Sequence, residues 1–115
     1  MYREIELMEN DNGKCEALEF IENLNEKTQL KVEYVFKLVE DLPIVPAEYL
    51  KKLSGQIYEI RVQSGSNAYR FLSFFHKGDL IVVTHGFQKK SQKTPPNEIA
   101  RAEKLRGRYL TKHGG

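Results

Sequence analysis

The chain has one cysteine, Cys15, among its 115 residues. No internal disulfide can form, and no multi-thiolate zinc site can be built. No apolar run approaches the roughly 20 residues that cross hydrocarbon, which excludes a membrane span. Glycine-rich P-loop spacing is missing, so nucleoside triphosphate binding is not indicated. No histidine pair has ligand spacing, and no Asp/Glu cluster accompanies the basic residues, so no metal or other cofactor is expected. A nucleophile elbow and a Ser–His–Asp order are also missing, which argues against serine-type catalysis. There is no internal repeat, no low-complexity tract and no linker long enough to divide domains. The opening Met1-Tyr-Arg-Glu-Ile-Glu6 carries acids where a signal peptide has its apolar stretch. A reducing cytoplasm is the compartment this predicts.

What is present is ordinary for a globular protein: 40% hydrophobic and 30% charged residues. The length suits one domain, residues 1–115, and a chain of this size buries roughly 65% of its unfolded surface. The net charge of +2 hides an asymmetry. Residues 1–50 hold five basic and twelve acidic side chains, a balance of −7; residues 51–115 hold thirteen and four, a balance of +9. The most basic stretch starts at Gln88. A one-sided positive field is the footprint of a polyanion-binding surface, although a solvated basic helix gives the same count.

Periodicity predicts the elements. Tyr2 to Met8 has spaced apolar residues suited to a short first strand, and Glu9 to Gly13 reads as a turn. Ala17, Leu18, Ile21 and Leu24, then Val32, Val35, Phe36, Val39 and Leu42, recur at three- and four-residue steps. With Asn25 between them, they predict an antiparallel helical hairpin that ends before Pro43 and Pro46. From Ile57 the period changes to two. Tyr58, Ile60 and Val62 alternate with Glu59, Arg61 and Gln63. Ser64 to Asn67 and Lys77 to Asp79 are turn signals that separate this strand from two more apolar ones, Tyr69 to His76 and Leu80 to Phe87. Thr94 and Pro95 predict the cap and first residue of a last helix. Ile99, Ala102, Leu105 and Tyr109 form its apolar stripe, and Arg101, Lys104, Arg108 and Lys112 a basic one. The fold class is therefore α+β: an N-terminal helical hairpin packed on a small antiparallel sheet, with a C-terminal helix.

Several residues stand out against that scaffold. Arg61 lies on the polar side of its strand, and Arg70 interrupts an apolar one. Two guanidiniums on neighbouring strands repel unless an anion lies between them. Glu59 is the internal candidate, in which case the group merely holds the sheet; a phosphate is the external one. Lys89, Lys90 and Lys93 crowd a loop between a strand end and a helix start, where several ammonium groups can reach one phosphate. His85 suits either a general acid–base role or packing at a strand end. His76 and His113 read as surface residues; Tyr58 and Tyr109 could stack on bases, but their phases favour core packing. Together the cations suit phosphodiester chemistry without a metal, because arginine and lysine can stabilise charge building on phosphorus and RNA brings its own 2′-hydroxyl nucleophile.

Leu53-Ser-Gly-Gln-Ile-Tyr-Glu-Ile-Arg61, Tyr69-Arg70, His85-Gly-Phe-Gln-Lys-Lys90 and Lys93-Thr-Pro-Pro-Asn-Glu-Ile-Ala-Arg-Ala102 resemble the phage-derived, HigB-like branch of the RelE/ParE toxins. The resemblance runs from the helical hairpin onward. It implies a microbial-RNase-like fold and a type II toxin that cleaves messenger RNA, usually on the ribosome, by 2′-hydroxyl attack. By motif, Arg61, Arg70, Lys89 and Lys90 would bind the scissile phosphate. His85 has analogues in some members only. Apart from the resemblance, the loop residue Lys93 and the basic stripe of Arg101, Lys104 and Arg108 are expected to contact RNA. Tyr109 lies inside the terminal helix, so the C-terminal tyrosine role of some relatives does not transfer to it. The implied partner is an antitoxin, commonly a helix-turn-helix protein. ParE relatives inhibit DNA gyrase without cutting RNA, so a non-enzymatic inhibitor is the alternative expectation.

Overall fold

The structure is a computed structural model that describes residues 1–115. Strand β1 (Glu4–Leu7) comes first, then helices α1 (Glu16–Glu22) and α2 (Glu26–Asp41). Four strands follow: β2 (Leu50–Ser54), β3 (Ile57–Ser64), β4 (Asn67–His76) and β5 (Leu80–Lys89). Helix α3 (Pro96–His113) closes the chain. The strands form one sheet in the order β1-β5-β4-β3-β2. The meander β2 to β5 is antiparallel, as its short turns require. β1, however, pairs with β5 in parallel.

This corrects two expectations. The short first strand read at Tyr2 to Met8 is β1, so the hairpin does not begin the fold as the fold class had it, and the sheet is mixed rather than antiparallel. An apolar alternation identifies a strand but carries no direction, so parallel and antiparallel pairing look alike in sequence. β2 is an addition: Leu50 and Leu53 alone of its five residues turn inward, too few to announce a strand.

Helices cover both faces of the sheet. On one, Ala17, Val32, Val35 and Val39 of the helical hairpin pack on Ile60, Val62, Tyr69, Phe71, Ile81 and Val83. On the other, Ala102 and Tyr109 of α3 pack on Ile57, Leu72, Phe74 and Val82. The alternation of β3 and β4 explains the division, since neighbouring residues feed opposite faces. The hairpin is fixed at its ends. The Asn25 side chain accepts a 2.8 Å hydrogen bond from the Thr28 amide at the start of α2. Arg3 donates to the carbonyls of Val39, Leu42 and Pro43 at its end. Gly86 is required where it stands, because a Cβ there would meet the Phe71 ring at 2.7 Å and Phe20 at 2.9 Å.

Two details of the strands position the charged side chains at the open end of the sheet. β5 carries a one-residue bulge, since Leu72 pairs with His85 while Ser73 pairs with Val83. The extra residue, Thr84, shifts the alternation by one. Leu80 and Val82 face α3 before it; His85, Phe87 and Lys89 face the same way after it. The last helix starts one residue later than its sequence suggests. Pro95 is the cap and Pro96 the first helical residue. Thr94 is thereby released from capping, and its hydroxyl is used elsewhere.

Candidate anion site

Beyond the N-terminal end of α3, the α3-facing side of the sheet is left open, and charged side chains fill it. Arg61 of β3 and Arg70 of β4 are directly opposed in the ladder, so both point to one face. Glu59, two residues before Arg61, shares that face. Its carboxylate lies between the two cations, with Oε1 3.5 Å from Arg70 Nε and Oε2 3.6 Å from Arg61 Nε. The Thr94 hydroxyl donates to Glu59 Oε1 at 2.7 Å. Glu59 is 2% exposed and Arg70 6%, so this is a buried charge cluster in which the carboxylate offsets guanidinium repulsion. Glu59 is thus the internal anion between the arginines, and one carboxylate serves both of them.

The cluster still leaves cationic capacity. Arg70 donates through Nη1 to the Tyr69 carbonyl at 3.0 Å, and its buried Nε faces Glu59 in the ion pair without a closer hydrogen bond. Arg61 is more open and reaches the Ala47 carbonyl at 3.4 Å. Burial pulls the Arg70 guanidinium below the usual arginine range; Glu59 opposes this, and Arg61 adds to it. Lys89, on the same face at the end of β5, is likewise lowered, first by burial and then by the charge of Arg70. Arg70, Lys89, Lys90, Ser91 and Gln92 line a cavity of about 420 Å³. A second cavity, of about 240 Å³, lies on the other side of Arg70 and shares that residue. Two guanidiniums and two ammonium groups, braced by one carboxylate, can bind an anion and stabilise charge that grows on it.

His85 is placed differently. It is 3% exposed and lines neither cavity. Its Nδ1 is 2.9 Å from the Thr84 hydroxyl and its Nε2 3.0 Å from Glu98 Oε1 of α3. With both ring nitrogens engaged, it ties β5 to the start of α3 instead of facing the arginines. Burial lowers its pKa, opposed by the hydrogen bond that the Glu98 carboxylate accepts from it. The folded protein therefore resists protonating a group that the unfolded chain protonates at its ordinary value. Stability should fall as pH drops below about 6.5, the unfolded value, towards the lower folded one. Urea unfolding of the unaltered protein at about pH 7.5 and about pH 5.5 should show this loss. His85→Gln should flatten the dependence; an unchanged slope would show that another group is responsible.

The predicted RNA-contacting stripe divides as well. Arg101 is bound by both oxygens of Glu16 of α1, at 2.5 and 2.6 Å. Arg108 lines a hollow with Glu9 and Asp11. These two cations thus face the acidic segment around β1 and α1, away from Arg61. Lys93 and Lys104 are exposed; Lys93 lies in the loop that carries Lys90 to Thr94. His76 is not a surface residue: it is buried edge-on against Tyr109, because the strand turns it under α3. Tyr109 is a core residue whose hydroxyl donates to Glu6 at 2.9 Å, and burial together with Glu6 pushes its pKa up to about 12.

The fold and this face define a small α+β protein whose mixed sheet, covered by helices on both sides, carries a carboxylate-braced cationic cluster at one open end. The chain belongs to the family described as Phage derived protein Gp49-like (DUF891), which it matches over residues 19–106. That span includes Glu59, Arg61, Arg70, Lys89, Lys90 and Thr94, whereas β1 lies before it. No curated protein matches the chain. No helix is long and apolar enough to cross a membrane.

Proposed function

We propose that this protein is the toxin of a type II toxin–antitoxin pair of the RelE/HigB kind and acts as an mRNA endoribonuclease, associated with the ribosome. Membership of a phage-derived family supports the toxin role. The observation that carries the nuclease reading is the in-register Arg61–Arg70 pair with Lys89 and Lys90 beside it. In the reaction, the RNA 2′-oxygen attacks phosphorus and the bond to the 5′-oxygen breaks. The products are a cyclic phosphate and a 5′-hydroxyl, and the 2′-hydroxyl proton is in effect transferred to the leaving oxygen. Arg70 and Arg61 hold the phosphoryl oxygens and stabilise the charge that accumulates on them. Lys89, its proton loosened by burial and by Arg70, is the member of the cluster suited to exchange a proton with the substrate. A helix-turn-helix antitoxin would silence the protein, and the cytoplasm is where this substrate is met.

Induction in growing cells tests the reading. Growth should stop with loss of mRNA, and Arg61→Ala/Arg70→Ala should abolish both effects. Arrest that survives the double substitution with mRNA intact would falsify the nuclease assignment and favour a non-enzymatic inhibitor, with DNA-damage signalling if the target is gyrase.

A further inference from the structure

We infer that the cavity of about 240 Å³ beside Arg61 is a nucleobase subsite, which holds the nucleotide next to the phosphate gripped by Arg70. This deepens the nuclease reading and rests on it. Lys31, Glu48, Tyr49, Arg61, Gln63 and Arg70 line it. Arg70 also lines the lysine-rich cavity, so a linkage bound at Arg70 has a pocket on each side. The two differ in chemistry. One is lined by Lys89 and Lys90 and suits phosphate oxygens. The other combines an aromatic ring, an amide and a carboxylate with cations at its rim, which suits a base and its sugar-phosphate.

The backbone supplies the second half of the argument. β2 begins at Leu50, which pairs with Ile60, so β3 runs on past its neighbour. The Arg61 amide still reaches the Tyr49 carbonyl, at 2.8 Å. Beyond it the β3 edge has no strand beside it. In the β3–β4 ladder, Ser64 and Asn67 close the hairpin across a two-residue turn, and hydrogen-bonded and open positions alternate from there. The main-chain N–H and C=O of Gln63 therefore point outward, to the bare edge and into this cavity. A donor and an acceptor on one short stretch of backbone match the edge of a base, as recognition of unstacked RNA bases requires. Tyr49 supplies a ring for stacking, and Glu48 an acceptor for an exocyclic amino group. Lys31, from α2, can meet the next phosphate.

The test uses the full-length protein and a short RNA that cannot be cleaved, with a 2′-deoxy sugar at the scissile position. Tyr49→Leu should weaken binding roughly 5- to 150-fold, the range of one lost base–aromatic stack. Tyr49→Phe should restore it; because Tyr49 also packs against the hairpin-side core, lost stacking is separated from lost folding by changing the RNA instead. An abasic residue at one neighbour of the deoxy position should cost the unaltered protein a similar factor and cost Tyr49→Leu nothing further. Binding that is indifferent to both changes, while Arg70→Ala still weakens it, would sink the subsite and leave the nuclease reading standing. RNA binding indifferent to Arg70→Ala as well would overturn both.

Discussion

Arg70→Ala is expected to slow RNA cleavage by about 10²–10³, equivalent to roughly 3–4 kcal/mol of barrier, because it removes a preorganised donor from the charge that grows in the transition state. Arg70 is the member of the cluster for which this cost should be greatest. It is almost fully buried and it is common to both cavities. Lys90 gives the contrast. It is exposed, so Lys90→Ala should mainly weaken RNA binding and reduce the salt-dependence slope by about one unit. Single-turnover cleavage and binding at several salt concentrations would separate the two effects. Rate losses that disappear at saturating RNA for both variants would mean that the cluster binds RNA without acting on the transition state.

The largest effect on stability is expected for Glu59→Ala. Removing one partner from a buried ion pair costs about 3–5 kcal/mol, since the other charge is left buried without compensation. Here two guanidiniums lose their shared counter-ion and the Thr94 hydroxyl loses its acceptor. The loss would be read as a fall in urea midpoint and in Tm. Added inorganic phosphate should return part of it, because an anion seated between the arginines replaces the carboxylate; a ligand at a hundred times its Kd contributes about 2.7 kcal/mol. The unaltered protein should gain less from phosphate. A variant with unchanged stability, or one indifferent to phosphate, would show that Glu59 does not hold the arginines together. The carboxylate has a cost for function, because it repels the same phosphate that the arginines attract.

The sequence made some of this legible for specific physical reasons. The change from a 3.6-residue to a two-residue period marked the hairpin helices and the three long strands. The polar phase of β3 placed Glu59 and Arg61 on one face, and an arginine within the apolar run of β4 singled out Arg70. The basic stripe of α3 was equally visible, yet Arg101 spends its charge on Glu16, a residue 85 positions away, and no local pattern carries that information. Thr94 read as a helix cap because it precedes proline, and nothing in its neighbourhood signals a carboxylate on β3. Tyr49 and Lys31 had no signal at all: one sits in a loop and the other on a helix, and they meet only where β3 outruns β2.

What the amino-acid order determined by itself was the identity of the helices and of every strand but β2, and the side of β3 and β4 on which a residue lies, because these follow from short-range period and turn chemistry. Only the tertiary structure decided which residues became neighbours. The parallel seat of β1, the pairing of Arg61 opposite Arg70, and the bulge at Thr84 that turns Lys89 to their face all depend on strand register. Register is set by contacts between segments far apart in the chain, and a shift of one residue would have sent the same lysine to the opposite side of the sheet.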